Sequence, residues 1–329
     1  MRNTAADAAN PSQKIANTYS QRLSAVCGDG GKTNDVFVYG EVDSRQHVIF
    51  FGGDVQNYPE KMEGANARHV KWNIEYTASL MHRKFPQSLV FVIKANRMHL
   101  NTFSVYSNFV ESNDFGCPIH DSAYGALKHL RLLYKSACIR VADTAKEQST
   151  NITGNRDHGF SKQKRVEGMT QCETECLEYK GSGAGCTTES IPLTVIGFSK
   201  GCVVLNQLVY EIPYAIQYDC EVKKFLLSIK NLYWLDGGHS GGDVQMSNQH
   251  AYITEPHLLK PLAELGCHIH IHVTPYQVHD PLRPWIGKHY RQFCKLLHNT
   301  KTSFTKEVHF EREPGSLENH FKILEAFKT

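Results

Sequence analysis

The sequence lacks any run of 18 consecutive apolar residues, so a membrane-spanning helix is not expected. It also lacks a strong charge of either sign, because the formal net charge is +3 and no basic stripe is interleaved with aromatic residues. Nucleic-acid binding is therefore not predicted. The first 20 residues contain no apolar core, so a secretory signal is not expected either. What remains is the composition of a globular protein, 41% hydrophobic and 21% charged.

Two stretches lack periodic apolar positions, and they set the domain boundaries that we predict. Residues 1–34 are polar and rich in Ala, Asn, Ser and Gly, so we expect a flexible N-terminal tail. Residues 143–190 contain almost no large aliphatic side chains, which predicts a polar, disordered insertion. The rest of residues 35–329 has the length of a single domain.

Outside these stretches, short apolar runs alternate with segments of helical periodicity. The runs at 47–51, 89–93 and 191–198 are continuous and rich in β-branched and aromatic residues, as in strands buried on both faces. Residues 67–85 and 121–141 instead repeat apolar positions at three- and four-residue intervals. This alternation predicts an α/β fold with a mostly parallel central sheet and helices on both faces.

One of these runs ends in the pentapeptide Gly-Phe-Ser-Lys-Gly at 197–201, and a helical pattern follows from Cys202. Strand, G-x-S-x-G and helix form the arrangement of a nucleophile elbow, in which a strained turn projects the serine hydroxyl from the end of the sheet. A side chain in place of either glycine would crowd that turn. We therefore predict Ser199 as a nucleophile. The alternative is a glycine-rich turn with a bystander serine.

Acyl transfer on a serine needs a histidine base and an acid that orients it. His320 follows the last predicted strand, and Asp280 lies in the loop after the strand predicted at 268–273. The order Ser, Asp, His along the chain is that of α/β-hydrolases. We predict His320 as the base and Asp280 as the acid. A turn-forming Asp-Pro and an ordinary helix-start histidine remain the alternatives.

Asp236 is the alternative acid, because it follows the predicted strand that comes directly after the elbow. It begins the segment Asp-Gly-Gly-His-Ser-Gly-Gly at 236–242, whose glycines let the backbone approach a ligand closely. We expect Asp236, Gly237, Gly238 and His239 to line the site. A flexible turn is the alternative.

Backbone N–H groups should stabilise the negative charge that develops on the substrate oxygen. One donor is expected from Lys200, the residue after the nucleophile, and a second from a loop after an earlier strand. The Gly-Gly-Asp-Val segment 52–55 follows such a strand, so we predict Gly53, Asp54 or Val55. The Lys200 side chain is either a solvated helix residue or a contact for an anionic substrate.

No metal and no other cofactor is expected. His268, His270 and His272 alternate along one predicted strand, and three imidazoles on one face could bind zinc. However, the intervening Ile269 and Ile271 favour a packed strand end.

Three segments together resemble the chromosome-two open-reading-frame sixty-nine family of α/β-hydrolase-like proteins. They are His-Val-Ile-Phe-Phe-Gly-Gly-Asp at 47–54, the pentapeptide at 197–201, and Trp-Leu-Asp-Gly-Gly-His-Ser-Gly-Gly at 234–242. The resemblance implies an α/β-hydrolase fold over residues 35–327 and a mitochondrial location, but it implies no particular reaction. The N-terminal residues are a poor transit peptide, so a cytoplasmic location is the alternative.

These features predict a serine hydrolase that cleaves an ester or thioester through an acyl-enzyme on Ser199. Its partner would be a small acyl substrate. The alternative is a hydrolase-fold binding or scaffold protein with little or no turnover, whose partner is another protein. Neither hypothesis includes nucleic acid or a transmembrane segment.

Overall fold

The computed structural model describes residues 18–153 and 191–329. In chain order the strands are β1 (Tyr19–Cys27), β2 (Thr33–Gly40), β3 (Gln46–Phe51), β4 (Ser88–Ile93), β5 (Arg97–His99), β6 (Phe103–Val105), β7 (Glu111–Ser112), β8 (Pro118–Ile119), β9 (Leu193–Phe198), β10 (Ile229–Leu235), β11 (His268–Val273) and β12 (Phe304–Val308). The α-helices are α1 (Ile74–Lys84), α2 (Ala126–Thr153), α3 (Cys202–Tyr218), α4 (Cys220–Ser228), α5 (Pro256–Glu264), α6 (Pro275–Val278), α7 (Pro284–Asn299) and α8 (Leu317–Ala326). None of the helices described is both long and apolar enough to cross a membrane.

Eight of these strands form one sheet, in the order β1-β2-β4-β3-β9-β10-β11-β12. The pairs β1–β2 and β2–β4 are antiparallel, and the other neighbouring pairs in this sheet are parallel. The predicted mostly parallel sheet is therefore confirmed. The strand order places β9, β10 and β11 side by side, so the loops that follow them meet at one edge of the sheet.

Successive residues of the central strands enter two separate hydrophobic clusters. In β3, Val48 and Phe50 pack with α1 and α8, whereas Ile49 and Phe51 pack with α2, α3 and α7 on the opposite face. Helices thus cover both faces of the sheet. This explains why the central strands appear in the sequence as continuous apolar runs and not as alternating ones.

The predicted N-terminal tail is wrong from residue 19 onward, because β1 pairs with β2. The buried residues of this strand are Tyr19, Leu23, Val26 and Cys27, and the first three are spaced at intervals of four and three that suggest a helix. The pairing register shifts between Leu23 and Val26, where Ala25 has a φ of 48°. Such a bulge inserts an extra residue and hides the two-residue period of a strand. Residues 1–17 lie outside the described residues.

The predicted insertion also begins later than expected. Helix α2 continues to Thr153, past its expected end near Val141. The sequence between these residues includes Ala, Lys, Glu and Gln, which are good helix formers and extend a helix without core contacts. The rest of the predicted insertion, residues 154–190, lies outside the described residues.

Candidate active site

Ser199 begins a short 3₁₀ turn, Ser199–Gly201, that joins the end of β9 to the start of α3. Its φ of 52° lies in the left-handed region, where non-glycine residues are strained. Neither glycine of the pentapeptide could carry a side chain without a steric clash. A Cβ on Gly201 would lie 2.0 Å from the carbonyl oxygen of Phe51, and a Cβ on Gly197 would lie 2.8 Å from the carbonyl oxygen of Gly201. The turn therefore packs tightly against β3.

We expect Gly201→Ala to lower the free energy of unfolding by about 1–3 kcal/mol, because the added methyl group overlaps the backbone of a central strand. Chemical denaturation measures this loss. Gly242→Ala is the matched control, since a Cβ at Gly242 would meet no atom within 4 Å. Equal stability of the two variants would contradict the tight packing of this turn.

Asp236 and His320 form a buried pair at the same edge of the sheet. Nδ1 of His320 lies 2.7 Å from Oδ2 of Asp236, whose side chain is fully buried. Because a carboxylate only accepts hydrogen bonds, Nδ1 carries a proton, so the lone pair of the neutral ring is on Nε2. Thr274 donates its N–H to one carboxylate oxygen (2.7 Å) and its hydroxyl to the other (2.6 Å). Asp236 is thus held in one orientation and fixes one tautomer of His320.

The predicted pairing of Asp280 with His320 is wrong. Oδ1 of Asp280 accepts the N–H of Leu282 at 2.8 Å, and Oδ2 accepts Nε of Arg283 at 2.6 Å. The hydrogen bond from Arg283, followed by the one from Leu282, lowers the pKa of Asp280. Asp280 therefore stabilises the turn that it forms with Pro281, Leu282 and Arg283, which is the ordinary role of an Asp-Pro dipeptide.

His239 lies directly against Ser199, with its Nε2 3.2 Å from the serine Oγ. In the described part of the chain, no hydrogen bond joins Ser199 to His320, and no second hydrogen bond orients the His239 ring. Burial, followed by the charge of nearby Lys200, lowers the pKa of His239 well below its usual value. His239 is therefore a neutral and weakly basic side chain that covers the serine hydroxyl.

The loop after β10 reaches the Ser199 turn because its glycines fit where larger residues cannot. A Cβ on Gly238 would lie 1.9 Å from Oε1 of Gln277, and a Cβ on Gly237 would lie 3.0 Å from that of Cys202, in the first turn of α3. This packing leaves Ser199 only 4% exposed. Of the four residues predicted to line the site, His239 contacts Ser199 directly, and Gly237 packs against Cys202 in the helix that follows the serine turn.

The Lys200 side chain is buried and is not the solvated helix residue that was one expectation. Its Nζ donates to the carbonyl oxygen of Phe115 at 2.7 Å and lies 3.9 Å from Oδ2 of Asp54. Burial lowers the pKa of Lys200 and raises that of Asp54, and the charge of each partly offsets the effect on the other. Lys200 therefore ties the β7–β8 turn to the loop after β3. Its charge already faces a carboxylate.

Two of the predicted oxyanion donors are already in use. Gly53 donates its N–H to a glutamine side chain (2.8 Å), and Val55 donates to a main-chain carbonyl (2.7 Å). Within the described chain, no acceptor lies in hydrogen-bond range of the Asp54 N–H. The N–H of Lys200 belongs to the first turn of a helix, where such groups lack intrahelical acceptors. A Cβ on Gly53 would lie 2.8 Å from that of Ser199, so this loop touches the serine.

Sequence analysis did not identify Thr274, the residue that fixes Asp236. Thr274 directly follows β11, and Asp236 directly follows β10. A signal was available, because both residues end predicted strands of one parallel sheet. What the sequence could not supply was that β10 and β11 are neighbours.

The sequence model of the C2orf69 family matches residues 22–303 of this chain. The human mitochondrial protein C2orf69 is 40% identical over 294 residues, which cover 86% of this chain and 74% of the human protein. The chain belongs to the C2orf69 family. A Mus musculus member, the mitochondrial protein C2orf69 homolog, is 40% identical over 300 residues. These residues cover 87% of this chain and 79% of the mouse protein. These relatives confirm the family resemblance and the mitochondrial location that it implies.

Solved structures with an overall likeness to this C2orf69-family chain include hydrolases. One is the acylaminoacyl peptidase of Pyrococcus horikoshii, with 11% identity and a TM-score of 0.44, covering 95% of this chain and 41% of that one. Another is the hyperthermophilic esterase from Pyrobaculum calidifontis, with 12% identity and a TM-score of 0.41. The match covers 94% of this chain and 81% of the esterase chain. The α/β-hydrolase-like fold itself is given by the central sheet, its helix-covered faces and the strand–turn–helix around Ser199.

Proposed function

We propose that this C2orf69-family protein is a serine hydrolase that cleaves an ester or thioester, with Ser199 as nucleophile, His320 as base and Asp236 as orienting acid. The buried Asp236–His320 pair carries the proposal, because it presents an imidazole in the tautomer that accepts a proton through Nε2. The imidazole stacks on Phe198, the residue before the serine, at a ring-centre distance of 4.8 Å. His239 has no comparable orienting partner among the described residues, so it is the weaker candidate for the base.

The reaction that we propose has two acyl-transfer steps. Oγ of Ser199 attacks the carbonyl carbon while its proton passes to Nε2 of His320, and the resulting oxyanion accepts hydrogen bonds from the N–H groups of Lys200 and Asp54. Collapse of this intermediate breaks the bond to the alcohol or thiol, which takes the proton from His320. Water then attacks the acyl group by the same route and releases the carboxylic acid and free Ser199. Asp236 stabilises the imidazolium in both steps.

In this proposal His239 moves aside before the reaction, because its Nε2 lies 3.2 Å from the Oγ that has to pass its proton to His320. The loop that carries His239 contains four glycines between residues 237 and 242, so its backbone has the freedom to move. Lids that exclude water until substrate binds are common in hydrolytic enzymes.

Turnover of p-nitrophenyl esters of increasing acyl length tests the proposal. We expect hydrolysis by the wild-type protein that falls to background in Ser199→Ala, because the acyl-enzyme cannot form. Equal hydrolysis by the two proteins would show that the activity comes from another group.

A binding or scaffold protein is the second candidate, and the burial of Ser199 favours it. The serine is 4% exposed and lies beneath His239. A scaffold needs no access to this hydroxyl, whereas a hydrolase does. Folded wild-type protein that hydrolyses none of the esters would support this candidate.

A further inference from the structure

A separate cluster of metal-ligating side chains lies at the ends of β11 and β12. Parallel pairing sets His272 opposite Glu307, and His309 follows two residues later on the same side of the chain. Nδ1 of His272 lies 2.9 Å from Nε2 of His309, and that Nε2 lies 4.0 Å from Oε2 of Glu307. One possible ligand atom from each residue therefore falls within 4.8 Å of the other two.

We propose that His272, Glu307 and His309 bind a divalent transition-metal ion, zinc above all, with water as the fourth ligand. Two imidazoles and one carboxylate form a recurrent zinc ligand set. Zinc–ligand distances of about 2.0–2.2 Å place the ligand atoms of a tetrahedral site about 3.3 Å apart. The separations of 2.9 and 4.0 Å bracket this value, and the third pair of ligand atoms lies within 4.8 Å, so side-chain rotation would have to bring the three groups together around one ion.

The two histidines are poorly explained as ordinary core residues. Both are buried, at 3% and 7% exposure, and Nε2 of His272 has no hydrogen-bond partner in the described chain. Zinc bound through Nδ1 of His272 and Nε2 of His309 would leave a proton on the other nitrogen of each ring. Both rings would then stay neutral, and the Glu307 carboxylate would offset one of the two positive charges of the ion.

Two lysines lie near this cluster: Lys328 pairs with one oxygen of Glu307, and Lys84 donates to main-chain carbonyls. Nζ of Lys328 lies 3.1 Å from Oε1 of Glu307, which leaves Oε2 on the side of the histidines. Lys328 is mostly exposed, so solvent screens its charge. Nζ of Lys84 donates to the carbonyl oxygens of Glu325 and Phe327 at 2.8 and 2.7 Å.

The earlier histidines of β11 do not belong to the site. Nδ1 of His268 is hydrogen-bonded to Oγ of Ser303 at 2.6 Å. His270 stacks on Tyr233 with a ring-centre distance of 3.9 Å. The ligand set that we propose therefore shares only His272 with the three alternating histidines of β11, because Glu307 belongs to β12 and His309 directly follows that strand.

Zinc titration of the full-length, chelator-treated protein in a calorimeter tests the site. We expect Glu307→Gln and His309→Ala each to bind one equivalent of zinc fewer than wild type. His268→Gln is the matched control on the same strand and should bind as wild type does. Glu307→Gln keeps the shape of a half-buried side chain, so this variant decides the question if His309→Ala fails to fold.

The chain has ten cysteines, so the ligand type must be identified as well. Cobalt(II) in a site of two histidines and a glutamate gives visible d–d bands without a thiolate charge-transfer band in the near ultraviolet. We expect wild type to show d–d bands that Glu307→Gln loses while any thiolate band stays unchanged. Equal zinc stoichiometry in wild type and Glu307→Gln, or cobalt bands of thiolate sites alone, would overturn the proposal. The test does not depend on hydrolase activity.

Discussion

Asp236→Asn should reduce turnover of an activated ester by on the order of 10²–10⁴, with the fold nearly intact. The carboxylate holds the proton of His320 on Nδ1 through a contact of 2.7 Å, and it stabilises the imidazolium that forms when the serine loses its proton. An asparagine can present its NH₂ group to Nδ1, which favours the wrong tautomer of the imidazole. If turnover is slow, the labelling rate of Ser199 by a fluorophosphonate is the measurement to use.

Asp280→Asn is the matched control for this experiment. Its carboxylate stabilises a turn through Leu282 and Arg283, so we expect a rate close to that of wild type. Slow labelling in Asp280→Asn together with normal labelling in Asp236→Asn would reverse the assignment of the acid.

His320→Gln is expected to reduce the same rate by on the order of 10²–10⁴, because the serine loses its base. Glutamine is polar and of similar length, so it fills much of the space between Phe198 and Asp236 without accepting the proton. Thermal unfolding of the variant separates loss of chemistry from loss of fold.

For His239→Gln we expect no such loss, in contrast to His320→Gln. His239 contacts the hydroxyl of Ser199, but its pKa is lowered, and Oδ2 of Asp54 lies 3.9 Å from its Nε2, beyond hydrogen-bond distance. We therefore expect labelling of Ser199 to be unchanged or faster in this variant. A loss as large as that in His320→Gln would assign the base to His239 instead.

Local sequence signals were enough for the fold and for the strand–turn–helix at Ser199. Runs such as 89–93 are apolar throughout because the strand is covered on both faces, and the glycines around Ser199 are there because the turn touches β3. Continuous apolar runs of this kind reflect the apolar surroundings of each strand residue, and such surroundings are common to proteins with a buried parallel sheet.

The choice between Asp236 and Asp280 as the partner of His320, and the position of the first strand, needed information that lies outside any local pattern. Asp236 and Asp280 both follow strands, and only the hydrogen bonds from Thr274 and to His320 distinguish them. The contact of His239 with Ser199 likewise depends on how a glycine-rich loop folds back across the sheet edge. In β1, a bulge removes the alternation by which a strand is recognised.

Reaction of the purified, folded protein with a fluorophosphonate tests the central claim most directly, with the modified residue located by peptide mass spectrometry. This reagent reacts with a serine whose hydroxyl is activated by a base. We predict a single adduct on Ser199 that is absent in Ser199→Ala and slow to form in Asp236→Asn. No adduct on Ser199 in folded wild-type protein, even in the His239→Gln background, would contradict the account.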